Sequence, residues 1–255
     1  MDVPVLTAAG WSLLAASALP IGALAARLRM FSKRTLGAVL AFGAGTLISA
    51  VTFELVEQAF LRADLWPVVA GLGLGAVTFT AGDAAIARFG GRRHRGMGMA
   101  DQTTVAERRP GDEDSGTAIA LGAVLDGIPE SLVLGIGVAT GDAVSITFVA
   151  AVFISNLPES LASTRGMLIM GHRFRPVLGL WTAVAAVSAV VAAAGAMLDG
   201  VDQAVIALVQ SFAAGALLAL IADSLLPDAY RDSGLRAGLF VVLGFALAFA
   251  LTSLD

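Results

Sequence analysis

Apolar residues in this chain fall in long unbroken runs rather than in an alternating or amphipathic pattern. Eight such runs can be marked, at 4–27, 35–60, 66–89, 117–139, 143–168, 175–198, 203–227 and 235–253. Each is close to the roughly 20 residues that an α-helix needs to cross a bilayer. The pattern predicts an all-α, polytopic membrane protein of eight transmembrane helices, folded as one transmembrane domain over residues 1–255. Between the third and fourth runs lies a polar stretch, 90–116, rich in Gly and Arg with an acidic Asp112-Glu113-Asp114 run. It is expected to form a flexible cytoplasmic loop, because it has too little apolar surface to fold.

Composition sharpens the class. Hydrophobic residues make up 57% of the 255, and charged residues only 14%, against roughly 25% charged in a soluble domain. Cysteine is absent, which excludes disulfides and thiolate metal sites. The first run has no basic segment before it, so it reads as a retained helix rather than a cleaved signal. Gly71-Leu72-Gly73-Leu74-Gly75 resembles a phosphate loop only superficially. It sits within an apolar run with no strand before it, so close helix packing is the expected role. No nucleotide motif and no nucleic-acid partner are expected.

The charges then set the orientation. Of the 16 basic residues all but Arg62 fall on alternate loops, the ends of the first, third, fifth and seventh runs. The positive-inside rule places those loops in the cytoplasm and both termini outside. The Ala/Arg-rich composition with a single lysine fits a bacterium with GC-rich DNA, so the expected location is the bacterial cytoplasmic membrane. A homodimer is the assembly kept open.

Two internal repeats stand out. Leu125-Asp126-Gly127-Ile128-Pro129-Glu130-Ser131-Leu132 recurs 29 residues later as Ile154-Ser155-Asn156-Leu157-Pro158-Glu159-Ser160-Leu161. Phe42-Gly43-Ala44-Gly45-Thr46-Leu47 recurs 170 residues later as Phe212-Ala213-Ala214-Gly215-Ala216-Leu217. In each case the two copies run in opposite directions through the membrane. That predicts inverted repeats, spans 1–3 and 6–8 arranged around the pair 4/5, as in many transporters.

The proline phrases carry the candidate chemistry. Each proline removes a backbone N–H and clashes with the carbonyl four residues back, which should free the carbonyls of Leu125 and Ile154. Asp126 and Glu130 are four apart, as are Ser155 and Glu159, so each pair should share a helix face. Asn156 lies close to that face. Two such helices facing one another would gather carboxylates, an amide and a hydroxyl into an oxygen-rich cation site. A charged side chain at mid-bilayer costs roughly 2.5–3.5 kcal/mol, so acids there need a cation, a proton or water. Glu54, Asp83 and Asp223 are further acids within runs, and Glu54 and Asp223 are expected to line the ion's path.

On these residues the chain resembles the ZIP divalent-metal transporters. That family has eight spans, outside termini, a long loop after span three, and a His-Asn-x-Pro-Glu-Gly type motif in spans four and five. The resemblance implies metal-binding glutamates at Glu130 and Glu159 and a ligand asparagine at Asn156. It covers nearly the whole chain in layout, and in sequence it is concentrated in the two proline phrases. Asp126 stands where the family has the span-four histidine, Gly127 where it has asparagine, and Ser155 at the span-five histidine. Residues 175–198 lack the family's span-six acid. The remaining donors are all oxygen, which suits harder ions such as manganese or magnesium, weakens zinc as the main substrate and leaves ferrous iron open. The expected function is a secondary transporter, not an enzyme, that moves a divalent metal (zinc, manganese or iron) and has no resident cofactor. Its metal ligands would be Asp126, Glu130, Ser155, Asn156 and Glu159. The alternatives are a sensor or scaffold that has lost transport, an intramembrane aspartyl enzyme using Asp83 and Asp126, and a carrier for a monovalent ion or proton-coupled solute.

Overall fold

The computed structural model describes residues 3–28, 32–88, 114–141 and 145–252. Most of the 90–116 loop, with His94, lies outside the described residues, and the helix that follows begins at Asp114. Every described element is helical. Seven helical stretches are long and apolar enough to cross a membrane, Val3–Leu28, Lys33–Arg62, Leu65–Ile86, Gly122–Ala139, Ile146–Ile169, Phe174–Leu198 and Gln203–Thr252. The expected eight become seven because the last stretch continues through the connector between the seventh and eighth apolar runs.

Eleven α-helices build these stretches among the described residues. α1 (Val3–Ala16) and α2 (Ala18–Ala25) are parted at Ser17, where Pro20 cannot tolerate a continuous turn against the Ala16 carbonyl. α3 (Lys33–Ala50) starts at a Ser32 cap, whose hydroxyl accepts from the Thr35 N–H at 3.1 Å. It runs through a π-helical turn, Val51–Glu57, into α4 (Gln58–Arg62). α5 spans Leu65–Arg88, α6 Asp114–Ala139, α7 Ile146–Ile169 and α8 Phe174–Gly195. α9 (Gln203–Leu220) passes through a second π-helical turn, Ile221–Leu225, into α10 (Leu226–Ser233). α11 covers Ala237–Thr252. α6 and α7 both continue across their prolines, Pro129 and Pro158.

The 50-residue last stretch would be about 75 Å long if straight, but α3 shows that it folds back. Arg62 Nη1 meets Gln203 at 3.4 Å, and Gln210 Nε2 donates to the Glu54 carbonyl at 3.1 Å. Asp232 and Ser233 then lie against Gly37. Gly234 follows with φ +64°, a left-handed conformation that glycine adopts without penalty. Beyond it the chain climbs again: Val241 and Phe245 lie against Gly45, and the Thr252 hydroxyl donates to Glu54 Oε1 at 3.1 Å.

The helices form two groups. In one, α3 packs on α11 and α5 packs on α9; in the other, α8 packs on α1 and α6, and α2 packs on α7. The groups meet where α3 lies on α7 and α9 on α6. A shared apolar core there includes Leu47, Leu55, Phe79, Phe148 and Leu217.

Glycine sets the closest approaches in the first group, and it does so twice. Gly45 sits against the carbonyl of Val241 and Gly244 against that of Phe42. Gly215 sits against the carbonyl of Leu72 and Gly75 against that of Phe212. The residues of the second set lie 170 or 169 positions from their counterparts in the first. The pairs α3–α11 and α5–α9 are each parallel, while α3 and α9 run in opposite directions. The two π-helical turns also begin 170 residues apart, at Val51 and Ile221.

Candidate cation-binding site between α1, α6, α7 and α8

The two proline phrases lie in the second group, on neighbouring helices α6 and α7. The helical repeat brings Asp126, Gly127, Glu130, Ser131 and Leu134 to one face of α6. On α7 the inward face runs through Val152, Asn156 and Glu159. Together with Ser12 of α1 and Ser188 of α8 these residues line a cavity of about 10 Å³. That is room for about one water molecule or one dehydrated ion. Apolar walls from Ala15, Ala16, Leu19 and Ala123 close it.

The polar lining is acidic and hydroxylic. Asp126 and Glu130 are each 4% exposed, and Asn156 is 7% exposed. Asn156 Nδ2 donates to Glu130 Oε2 at 3.3 Å, which joins the two helices. Glu159 is half-buried and lies within electrostatic reach of Glu130. The Ser12 hydroxyl donates to the Ser131 hydroxyl at 3.4 Å. A Cβ at Gly127 would fall 3.1 Å from the Ser188 hydroxyl, so glycine there leaves that hydroxyl its room. No Lys, Arg or His lines the cavity.

Four of the five expected ligands therefore share one cavity: Asp126, Glu130, Asn156 and Glu159. Ser155 does not join them. Its hydroxyl donates to the Val152 carbonyl at 3.0 Å, and its backbone lies against Gly43 of α3. The reason is register. The cavity takes positions 152, 156 and 159 of α7, and Ser155 is about 100° round the helix from Asn156. Neither Leu125 nor Ile154 lines the cavity. As the side chains stand, no three Asp, Glu, His or Cys among the described residues group closely enough to hold a metal ion.

Glu159 also reaches a second cavity, of about 20 Å³, lined by Pro158, Ser224, Asp228 and Asp232 with Leu36 and Leu40. This one lies toward the arginine-bearing end, where Arg231 Nη2 pairs with Asp228 at 2.9 Å. Glu54 and Asp223, expected along the path, line neither cavity. Both belong to the π-helical turns of the other group. Glu54 Oε2 accepts from Gln58 at 3.4 Å, while Asp223 is exposed.

Ser12 and Ser188 were not singled out by their sequence context. Each is a lone hydroxyl in an apolar helix, and only the packing of α1 and α8 on α6 turns them inward. When the sequence is compared with models of known protein families, none matches, and no characterised protein matches it either.

Proposed function

We propose that this chain is a secondary transporter that moves a divalent metal cation across a membrane through the cavity between α6 and α7. The observation that carries this is the lining itself: three carboxylates and an amide around a space of ionic size, with no basic side chain. Carboxylates ionised within the membrane cost roughly 2.5–3.5 kcal/mol each, against about 5–15 kcal/mol for the whole stability of a typical domain. A bound cation offsets that cost. Glu130 and Glu159 would supply carboxylate oxygens, with Asn156 and Asp126 completing the shell alongside Ser131 and water. An all-oxygen set favours a hard ion, manganese before zinc, with ferrous iron between them.

In the same reading the folded-back last stretch counts as two passes, which gives eight spans with both termini outside a bacterial cytoplasmic membrane. The paired glycine contacts and the two π-helical turns support inverted repeats in spans 1–3 and 6–8. The two helix groups then provide the moving parts, one carrying the site and the other supporting it. Glu159, shared by both cavities, provides the step toward the arginine-bearing side.

A second reading, a metal sensor or scaffold that no longer transports, is favoured by one observation: three acidic ligands do not converge in this arrangement. Uptake of Mn²⁺ and Zn²⁺ into proteoliposomes, together with binding in detergent, separates the two. The transporter should accumulate Mn²⁺ above protein-free vesicles, and Glu130→Ala/Glu159→Ala should abolish this. Binding without uptake would favour the sensor. Absence of both would overturn the cation site.

A further inference from the structure

We propose that the cleft at the arginine-bearing end binds the phosphate headgroup of an anionic phospholipid. This is independent of what the central cavity carries. The cleft opens where the start of α3 faces the turn from α10 into α11, and its volume is about 950 Å³. Arg34, Arg231 and Arg236 stand around it, while Val39, Phe42 and Phe240 form an apolar wall.

The charges there are unevenly committed. Arg231 pairs with Asp228 at 2.9 Å and with Asp232 at 3.8 Å. Asp232, which also lines the cleft, feels Lys33 as well. Arg34 and Arg236 are exposed and have no acidic partner among the described residues. Three arginines against the one carboxylate of Asp232 leave the cleft lining positive, with two guanidinium groups available for bidentate contact to a phosphate.

Position selects the lipid over a soluble anion. The cleft sits at the ends of apolar helices, at headgroup depth if those helices cross a membrane. Leu235, between two of the arginines, is 88% exposed and Leu239 is 69% exposed, as befits a surface facing acyl chains. A free phosphate would engage the arginines but leave the Val39–Phe42–Phe240 wall in water. A phospholipid covers that wall with the first carbons of its chains.

Native mass spectrometry of the full chain in neutral detergent tests this, with phosphatidylglycerol, phosphatidylcholine and glycerol phosphate as probes. Wild type should retain phosphatidylglycerol at least about tenfold better than phosphatidylcholine, with no retention of glycerol phosphate. Arg34→Gln/Arg236→Gln should lose that preference, whereas Arg62→Gln at the opposite end should keep it. If the double variant melts below wild type without lipid, the single variants decide, each weakening retention at least about threefold. Undiminished retention by these variants, equal retention of phosphatidylcholine, or retention of glycerol phosphate alone would overturn the proposal.

Discussion

The glycine run 71–75 offers a test in which neighbouring residues act as each other's controls. A Cβ at Gly75 would enter the van der Waals shell of the Phe212 carbonyl. A Cβ at Gly71 would fall 2.7 Å from the Leu208 oxygen. A Cβ at Gly73, between them, would meet nothing within 4 Å. In the first two cases the obstacle is backbone, which cannot swing aside, so α5 must part from α9. Such overpacking costs about 1–3 kcal/mol, from which the gain of about 1 kcal/mol in helix propensity on replacing glycine is subtracted. Gly75→Val removes most of that gain and enlarges the clash, so it should lose the full amount. Gly73→Ala should keep the propensity gain and be neutral or stabilising. For a chain of this size 1 kcal/mol moves the melting midpoint by about 2–4 °C. Thermal unfolding in detergent, followed by circular dichroism, should therefore place Gly75→Val about 2–12 °C below wild type and Gly73→Ala at or above it. If Gly75→Val and Gly73→Ala lowered the midpoint equally, the close α5–α9 approach would be wrong.

Further outcomes follow from particular contacts. Glu130→Gln should reduce Mn²⁺ uptake in proteoliposomes by at least about tenfold, equivalent to about 1.4 kcal/mol, whereas Asp223→Asn, outside both cavities, should stay within about threefold of wild type. Ser155→Ala should leave uptake nearly unchanged, because that hydroxyl is bound to its own helix; a loss as large as that of Glu130→Gln would place Ser155 back among the ligands. Trp181 is 1% exposed and its indole N–H donates to the Thr164 hydroxyl at 2.8 Å. Trp181→Phe strands that hydroxyl and should cost about 1–3 kcal/mol, read as a lower melting midpoint. Gln210→Leu removes the donor to the Glu54 carbonyl, so hydrogen exchange should quicken in the π-helical turn 51–57 before it does in α3.

Hydropathy runs locate the helices well because burial in lipid demands long apolar segments with internally satisfied backbones. The run 35–60 is found as Lys33–Arg62 and 143–168 as Ile146–Ile169. The 170-residue repeat was legible at Gly45 and Gly215, since glycine against a carbonyl leaves a mark in the sequence. Gly75 and Gly244 repeat the contact at an offset of 169, one residue out of that register, where the surrounding residues differ too much to be matched by eye. The π-helical turns left no such mark, because one extra residue per turn changes hydrogen bonding without changing composition. In the site, Asp126, Glu130, Asn156 and Glu159 were visible as polar residues out of place. Which side of α7 faces inward was not visible, and that is why Ser155 was grouped with them. Spacing alone gave Ser155 and Glu159 a common face; packing chose the face centred on Asn156.

Glu159 belongs to the walls of two chambers, one beside Glu130 and one beside Asp228. It is the one residue common to the two linings. In the proposed transporter, an ion leaving the chamber beside Glu130 would meet the same side chain on entering the chamber beside Asp228.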